Sequence, residues 1–206
     1  MHETPYQREP GYAERYRDRR FRSGSGAGTD RRERSALRAL LRQCTWSDGP
    51  WLDAPSGAGR MSDELPGPVV LVDRDPDMVR AAPPGRPRAC ASVHALPFAD
   101  DTFAGALCHR LLQHIPTPVE RIGILRELAR TCRGPIVVSF FDACSLQHFR
   151  RVLRRALGKT RSGRSAVRRG RLLAELRAAG LRPIAIVPLR RFLVEQTLIA
   201  CRRREV

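Results

Sequence analysis

Residues 51–60 read Trp51-Leu52-Asp53-Ala54-Pro55-Ser56-Gly57-Ala58-Gly59-Arg60, a short apolar run that ends in an acid and passes into a turn of small residues. Gly57 and Gly59 carry no side chain, so a ligand can approach the backbone N–H groups of such a turn closely. A helix starting beyond it adds partial positive charge from its N-terminus. A Gly-rich turn alone is common, but here Val69–Asp73 follows it and also ends in an acid. The separation of about twenty residues puts the Asp73 carboxylate at the tip of a neighbouring strand, where it can hold ribose hydroxyls.

The same texture continues outward. Trp51–Asp53, Val69–Asp73 and residues 88–93, 105–109 and 135–141 read as buried strands, and 183–188 and 195–201 as two final strands. Between them lie helical patterns. Residues 75–82 open with Asp75-Pro76, and 117–132 open with Thr117-Pro118-Val119-Glu120, a capping box with proline at the first helical position. Ile122, Leu125, Leu128 and Ala129 form one apolar face of the second. Residues 172–179 make a further helix, closed by Gly180. Upstream, a short helix is expected over 12–21, and Thr29 or Asp30 is an N-cap for a helix carrying Leu37, Leu40 and Leu41. This alternation predicts an α/β fold, a mostly parallel sheet with helices on both faces.

The chain has 206 residues, enough for one domain with a real core, and 42% hydrophobic content. No apolar run approaches the roughly 20 residues of a membrane span. The N-terminus lacks the apolar stretch of a secretory signal, which leads to the expectation of a cytoplasmic protein. Cys44, Cys90, Cys108, Cys132, Cys144 and Cys201 form no C-x-x-C pair, so neither a metal site nor a disulfide framework is expected. Net charge is +17, and Lys159 is the only lysine among 38 basic residues. Such an arginine excess fits codon bias, yet it also favours polyanionic partners. Residues 1–30 read as a flexible basic segment containing Ser23-Gly24-Ser25-Gly26-Ala27-Gly28, with disorder expected over the first ten. Residues 31–206 then form the domain.

Five motifs in order give these residues a family resemblance. Leu52–Arg60 is similar to the first motif of the type 11 group of class I S-adenosylmethionine-dependent methyltransferases, with Pro55 for its first glycine and Ser56 for its usual Cys or Gly. Val72-Asp73-Arg74-Asp75-Pro76-Asp77-Met78-Val79 resembles the second, and residues 95–103, ALPFADDTF, the third. The fourth corresponds to residues 107–116, ending CHRLLQHIP. The fifth is the helix 125–130, LRELAR, followed by the strand 134–141. The resemblance covers roughly 37–203. It implies a Rossmann-like, seven-stranded, mostly parallel sheet with an antiparallel last strand, and S-adenosylmethionine as cofactor.

By position, the resemblance implies that Asp53 and the turn Pro55, Ser56, Gly57 and Gly59 hold the methionine part of the cofactor through backbone groups. Asp73 takes the ribose hydroxyls, with Arg74 and Met78 against the adenine. Ser92 and Val93 stand where relatives carry Asp-Ala beside the adenine amino group. His109 ends the fourth strand facing the sulfonium. His109 and His114 are the candidate general bases, since histidine titrates near neutral pH. His94 and His148 read as surface residues. The fourth strand is not followed by [N/D]-P-P-[Y/F], and no Pro-Cys nucleophile is present, which disfavours adenine-N6, glutamine and C5-cytosine methylation.

Residues 143–174 carry ten basic residues and no acid. Within this insertion (143–171), residues 145–157 read as a basic amphipathic helix with Phe149, Val152, Leu153 and Ala156 on its apolar side. It is expected to cover an acidic substrate or to meet an anionic membrane surface peripherally. Methyl transfer to oxygen or carbon of a small-molecule acceptor is the leading expectation. RNA methylation and a non-catalytic cofactor-binding subunit are the alternatives. Few aromatics suited to base stacking weigh against RNA.

Overall fold

The computed structural model describes residues 11–18, 24–158 and 164–204. The strands are β1 (Trp51–Asp53), β2 (Val69–Asp73), β3 (Arg88–Cys90), β4 (Gly105–Cys108), β5 (Ile136–Phe141), β6 (Leu181–Pro188) and β7 (Gln196–Arg203). They form one sheet in the order β3-β2-β1-β4-β5-β7-β6. Strands β1 to β5 pair in parallel, and β7 runs antiparallel to both β5 and β6. The order changes direction at β1 and β4, so the loops after these strands diverge and open a crevice at their carboxyl ends. The expected Rossmann-like sheet with its antiparallel last strand is what the chain adopts.

The helices are α1 (Tyr12–Asp18), α2 (Gly24–Leu41), α3 (Pro76–Ala81), α4 (Pro118–Thr131), α5 (Leu146–Ala156) and α6 (Arg169–Ala178). Two apolar layers sandwich the sheet. One gathers Leu52, Phe103, Ile124, Leu125, Leu128 and Leu176 around α4 and α6. The other gathers Leu37, Leu40, Trp51, Leu71, Leu107 and Leu198 beneath α2. Strand β5 is buried along its whole length, which explains its unbroken apolar sequence.

Local chemistry sets the helix starts. The Asp75 carboxylate accepts the Asp77 N–H, and the Thr117 hydroxyl accepts the Glu120 N–H, each with proline in the first turn. The fifth motif is a clamp. Glu127 accepts the Leu96 N–H at 2.7 Å, and Arg130 donates to the Leu96 and Phe98 carbonyls and to Asp100, so α4 holds the loop of the third motif.

Two expectations need correcting. The stretch read as flexible is helical from Gly24 onward, and the helix does not wait for a cap at Thr29 or Asp30. Tertiary ion pairs override glycine's poor propensity: Asp30 binds Arg60, and Arg34 and Arg38 bind Glu64. The first ten residues, Ser23, Lys159 and Arg161 lie outside the described residues. The shorter helix α1 ends at Asp18 and packs Ala13 against Ala58, Met78 and Ala81.

Helix α4 also buries a charge that periodicity did not flag. Arg121 donates to both Glu175 oxygens, at 2.8 and 2.6 Å, and to the carbonyls of Ile115 and Pro116. This pair joins α4 to α6 with almost no solvent access. Removing one partner strands the other charge, so Glu175→Ala should lower stability by about 3–5 kcal/mol in urea unfolding. A loss below about 1 kcal/mol would show that water reaches Arg121.

Candidate active site

The expected site residues collect at the carboxyl ends of the parallel strands. Beyond β1, the turn bends through Gly57 and Gly59, both at positive φ (53° and 73°). A Cβ at Gly59 would press on Pro83 and Leu71 at 3.3 and 3.4 Å. At Gly57 a Cβ would meet nothing within 4 Å, so that face of the backbone is open to a ligand. Asp53 is buried, and its carboxylate accepts the Ser62 hydroxyl at 2.6 Å beneath the turn. Burial pushes its pKa up to about 7 against the Ser62 hydrogen bond, with Asp73 raising it further. Pro55 follows a cis peptide bond, and the Ser56 hydroxyl bonds the Gly57 carbonyl at 3.2 Å.

Asp73 ends β2 with its oxygens toward the same turn. Oδ2 accepts the Gly57 N–H at 2.7 Å and Oδ1 the Asp75 N–H at 3.0 Å. Burial raises its pKa, and these backbone donors counter the rise. Each oxygen keeps a second lone pair for a hydroxyl donor. Arg74 is exposed, and Met78 lies buried under α1. Ser92 is half-buried and accepts the His94 N–H at 3.3 Å, while Val93 packs into the core.

Four residues surround the tip of β4. His109 is buried, with Nε2 3.4 Å from Glu33 Oε1 and 3.4 Å from the Gln196 amide at the start of β7. Glu33, on α2, is wholly buried and also accepts from Arg60 at 2.5 Å and Arg110 at 3.1 Å. Arg110 adopts a positive φ of 59°, a strained conformation for a side chain this size. The Ser139 hydroxyl accepts its N–H at 2.7 Å and Gln113 binds its carbonyl at 2.8 Å, which pins the turn.

The charges here follow from the partners. Burial pushes the Glu33 carboxyl up, but the hydrogen bond and charge of His109, with Arg60 and Arg110, outweigh it and hold the pKa at about 2. Burial pushes His109 down, so its ring is neutral near pH 7. The Glu33 carboxylate is the strongest acceptor near Nε2; with the Gln196 amide turned to present its oxygen rather than its nitrogen to the ring, the ring proton sits on Nε2. Nδ1 is left as a buried lone pair without a hydrogen-bond partner among the described residues.

His114 is exposed on the 3-10 turn after β4, away from this burial, and of the two candidate histidines only His109 sits in the charged cluster. Sequence reasoning missed Glu33, Arg110 and Gln196. The signal for Glu33 was present: it stands four residues before Leu37, an acid on the apolar face of the same helix. Among the described residues, no group of three or more His, Cys, Asp or Glu side chains could hold a metal ion.

Because its folded pKa is depressed, Glu33 contributes stability above pH 4.5 that fades as pH falls toward 2. At pH 7 Glu33→Gln should therefore cost on the order of 3 kcal/mol in urea unfolding. The gap from wild type should close across that acid window. A gap independent of pH would mean that packing, not charge, holds Glu33.

Comparison with known proteins places this geometry. A family model described as a methyltransferase domain matches residues 52–134. A search of the curated proteins finds no match. Among solved structures, the fold is similar to magnesium protoporphyrin IX methyltransferase of Synechocystis with bound S-adenosylhomocysteine: 16% identity, TM-score 0.70, 93% of this chain and 94% of that one covered. It is similar also to a Thermotoga maritima enzyme described as a possible histamine N-methyltransferase (16%, TM-score 0.67, 94% of each chain). A Clostridium acetobutylicum S-adenosylmethionine-dependent methyltransferase aligns at 11% identity and TM-score 0.67, over 85% of this chain and 92% of that one. Residues 52–134 thus match a methyltransferase-domain model, and the fold is the one shared by solved S-adenosylmethionine-dependent methyltransferases.

Proposed function

We propose that the protein methylates oxygen or carbon of a small-molecule acceptor, with His109 as general base. The observation that carries this reading is the state of His109: buried and neutral, with Nε2 3.4 Å from Glu33 and with no hydrogen-bond partner for Nδ1 among the described residues. Bound S-adenosylmethionine supplies an electrophilic methyl group on a sulfonium. His109 Nδ1 would take the proton that the acceptor's hydroxyl or acidic carbon gives up on methylation. The proton brings a positive charge onto the ring, and the Glu33 carboxylate beside Nε2 offsets it. Positioning supplies much of the remaining acceleration.

In this reading the Gly57 face and the neighbouring N–H groups hold the methionine part of the cofactor, above an Asp53–Ser62 brace that fixes the turn. Asp73 takes ribose hydroxyls with the lone pairs that Gly57 and Asp75 leave over. Arg74, Met78, Ser92 and Val93 form the adenine side. Met78 reaches the ring only where α1 allows, since Ala13 packs against the same cluster.

Calorimetry should show S-adenosylmethionine binding that Asp73→Ala weakens by about 1–3 kcal/mol, the range for hydrogen bonds to a charged group. Unchanged affinity would remove Asp73 from the site. With methyl-labelled cofactor and a metabolite extract, His109→Gln should cut label transfer by about 10²–10⁴-fold while cofactor affinity holds. Because burial lowers the His109 pKa, wild-type transfer should persist below the ordinary histidine value of about 6.5 before it falls. Full transfer by His109→Gln would leave positioning alone as the catalytic device.

A further inference from the structure

Helix α5 sits on the protein the wrong way round for a soluble helix. Ser145 caps it, its hydroxyl accepting the His148 N–H at 3.1 Å. None of its residues is buried. Its inward edge is polar: Arg151 pairs with Glu195 at 3.2 Å, lies 5.7 Å over the Phe141 ring, and bonds His148 and the Arg164 carbonyl. The apolar edge faces solvent, with Phe149 65%, Val152 51% and Leu153 50% exposed. Leu146 and Leu157 continue the same stripe and are exposed as well.

A second segment extends this surface. The Leu146 N–H donates to the Phe192 carbonyl at 2.8 Å, and the Gln147 N–H to the Leu193 carbonyl at 3.2 Å. That contact brings the exposed side chains of Phe192 and Leu193 to the first turn of α5. Cations border the stripe. Arg150 and Arg154 follow it on one side of the helix and Arg155 lies beyond, all exposed, and α5 contains no acid. Apolar side chains projecting between arginines on an 11-residue helix suit an interface of acyl chains and anionic headgroups. A polyanion without an apolar phase, such as RNA, leaves Phe149 and Leu153 uncovered. Among the described residues no helix is long and apolar enough to cross a membrane, so the contact is peripheral.

The location gives the surface a purpose. Strand β5 enters α5 from its carboxyl end, and the loop carrying Phe192 enters β7 at Gln196, whose amide lies 3.4 Å from His109. The apolar stripe and the candidate active site therefore occupy the same edge of the sheet. We propose that α5, with Phe192 and Leu193, docks the protein on the surface of an anionic lipid bilayer, and that the acceptor is an amphiphile presented from that bilayer. The docking stands by itself, while the acceptor class rests on the methyltransferase reading above.

The test is sedimentation with phosphatidylcholine vesicles made with and without phosphatidylglycerol. Two variants leave the inward-facing Arg151 intact: Arg150→Glu/Arg154→Glu/Arg155→Glu, and Phe149→Ser/Leu153→Ser. The wild type should bind the anionic vesicles and bind the neutral ones far more weakly. The charge reversal should weaken anionic binding by about 100-fold or more, and the serine variant by about tenfold or more. Both variants should keep the wild-type melting temperature and cofactor affinity, because every changed side chain is exposed. Labelled methyl should appear in the lipid-extractable fraction of a cell lysate. Absence of binding to anionic vesicles overturns the docking, as does equal binding to both vesicle types. So does retention of RNA that the serine variant leaves unchanged, or a dimer in sedimentation velocity that the serine variant dissolves. If vesicles bind and S-adenosylmethionine does not, the cofactor reading fails and the docking survives. If label enters only water-soluble products, the docking survives and the acceptor class is wrong.

Discussion

A carboxylate with no solvent access, on a helix far upstream of the glycine turn, ties this site together. Glu33 reaches from α2 to Arg60 beyond the turn, to Arg110 after β4, and to the His109 ring between them. Burying an ion is costly unless it is fully paired, and here two guanidinium groups and an imidazole share the task. The same contact draws the imidazole proton toward Nε2 and closes α2 over the end of the sheet. The strained turn at Arg110 fits this picture, since Ser139 and Gln113 hold the backbone where the ring and the guanidinium can both meet Glu33.

The site is thus two halves of different character. Around β1 and β2 the chemistry is backbone and carboxylate: an open glycine face, Asp73 bonded to Gly57, and Asp53 braced by Ser62. Around β4 and β5 it is a charged cluster in which His109 Nδ1 has no hydrogen-bond partner among the described residues. A cofactor that carries both a nucleoside and a reactive centre suits such a division; the matched methyltransferase-domain model, residues 52–134, holds β1, β2, β4 and His109, while Glu33 and Gln196 lie outside it.

The sheet was legible because its strands are short apolar runs bounded by turn residues, and Thr117-Pro118 and Asp75-Pro76 announce two helices through hydrogen bonds made within four residues. The glycine turn and Asp73 were legible for the same reason. Their spacing follows from the single crossover between β1 and β2, although the helix expected beyond the glycine turn is only the 3-10 turn Ser62–Glu64. Long-range partners do not show in local pattern. The start of α2 depends on Asp30 meeting Arg60 and on Arg34 and Arg38 meeting Glu64, each about thirty residues away, so a Ser-Gly stretch read as flexible becomes helix. Glu33 could have been found as an acid on an apolar stripe, but its arginine partners and Gln196 could not. For α5 the amphipathic pattern was plain, but its orientation was not: periodicity shows that a helix has an apolar side, and it takes the Arg151–Glu195 pair and the exposure of Phe149 and Leu153 to show that this side faces outward.

The central claim is that Glu33 holds His109 as a neutral ring with its proton on Nε2 and its lone pair on Nδ1. Heteronuclear NMR of protein carrying 15N-labelled histidine reads this directly, since the two ring nitrogens report protonation separately. For His109, assigned by comparison with His109→Gln, the account predicts a protonated Nε2 and an unprotonated Nδ1 at pH 7. It also predicts a titration midpoint below that of an ordinary histidine, and loss of the tautomer preference in Glu33→Gln. A ring charged at pH 7, or one with its proton on Nδ1, would contradict it.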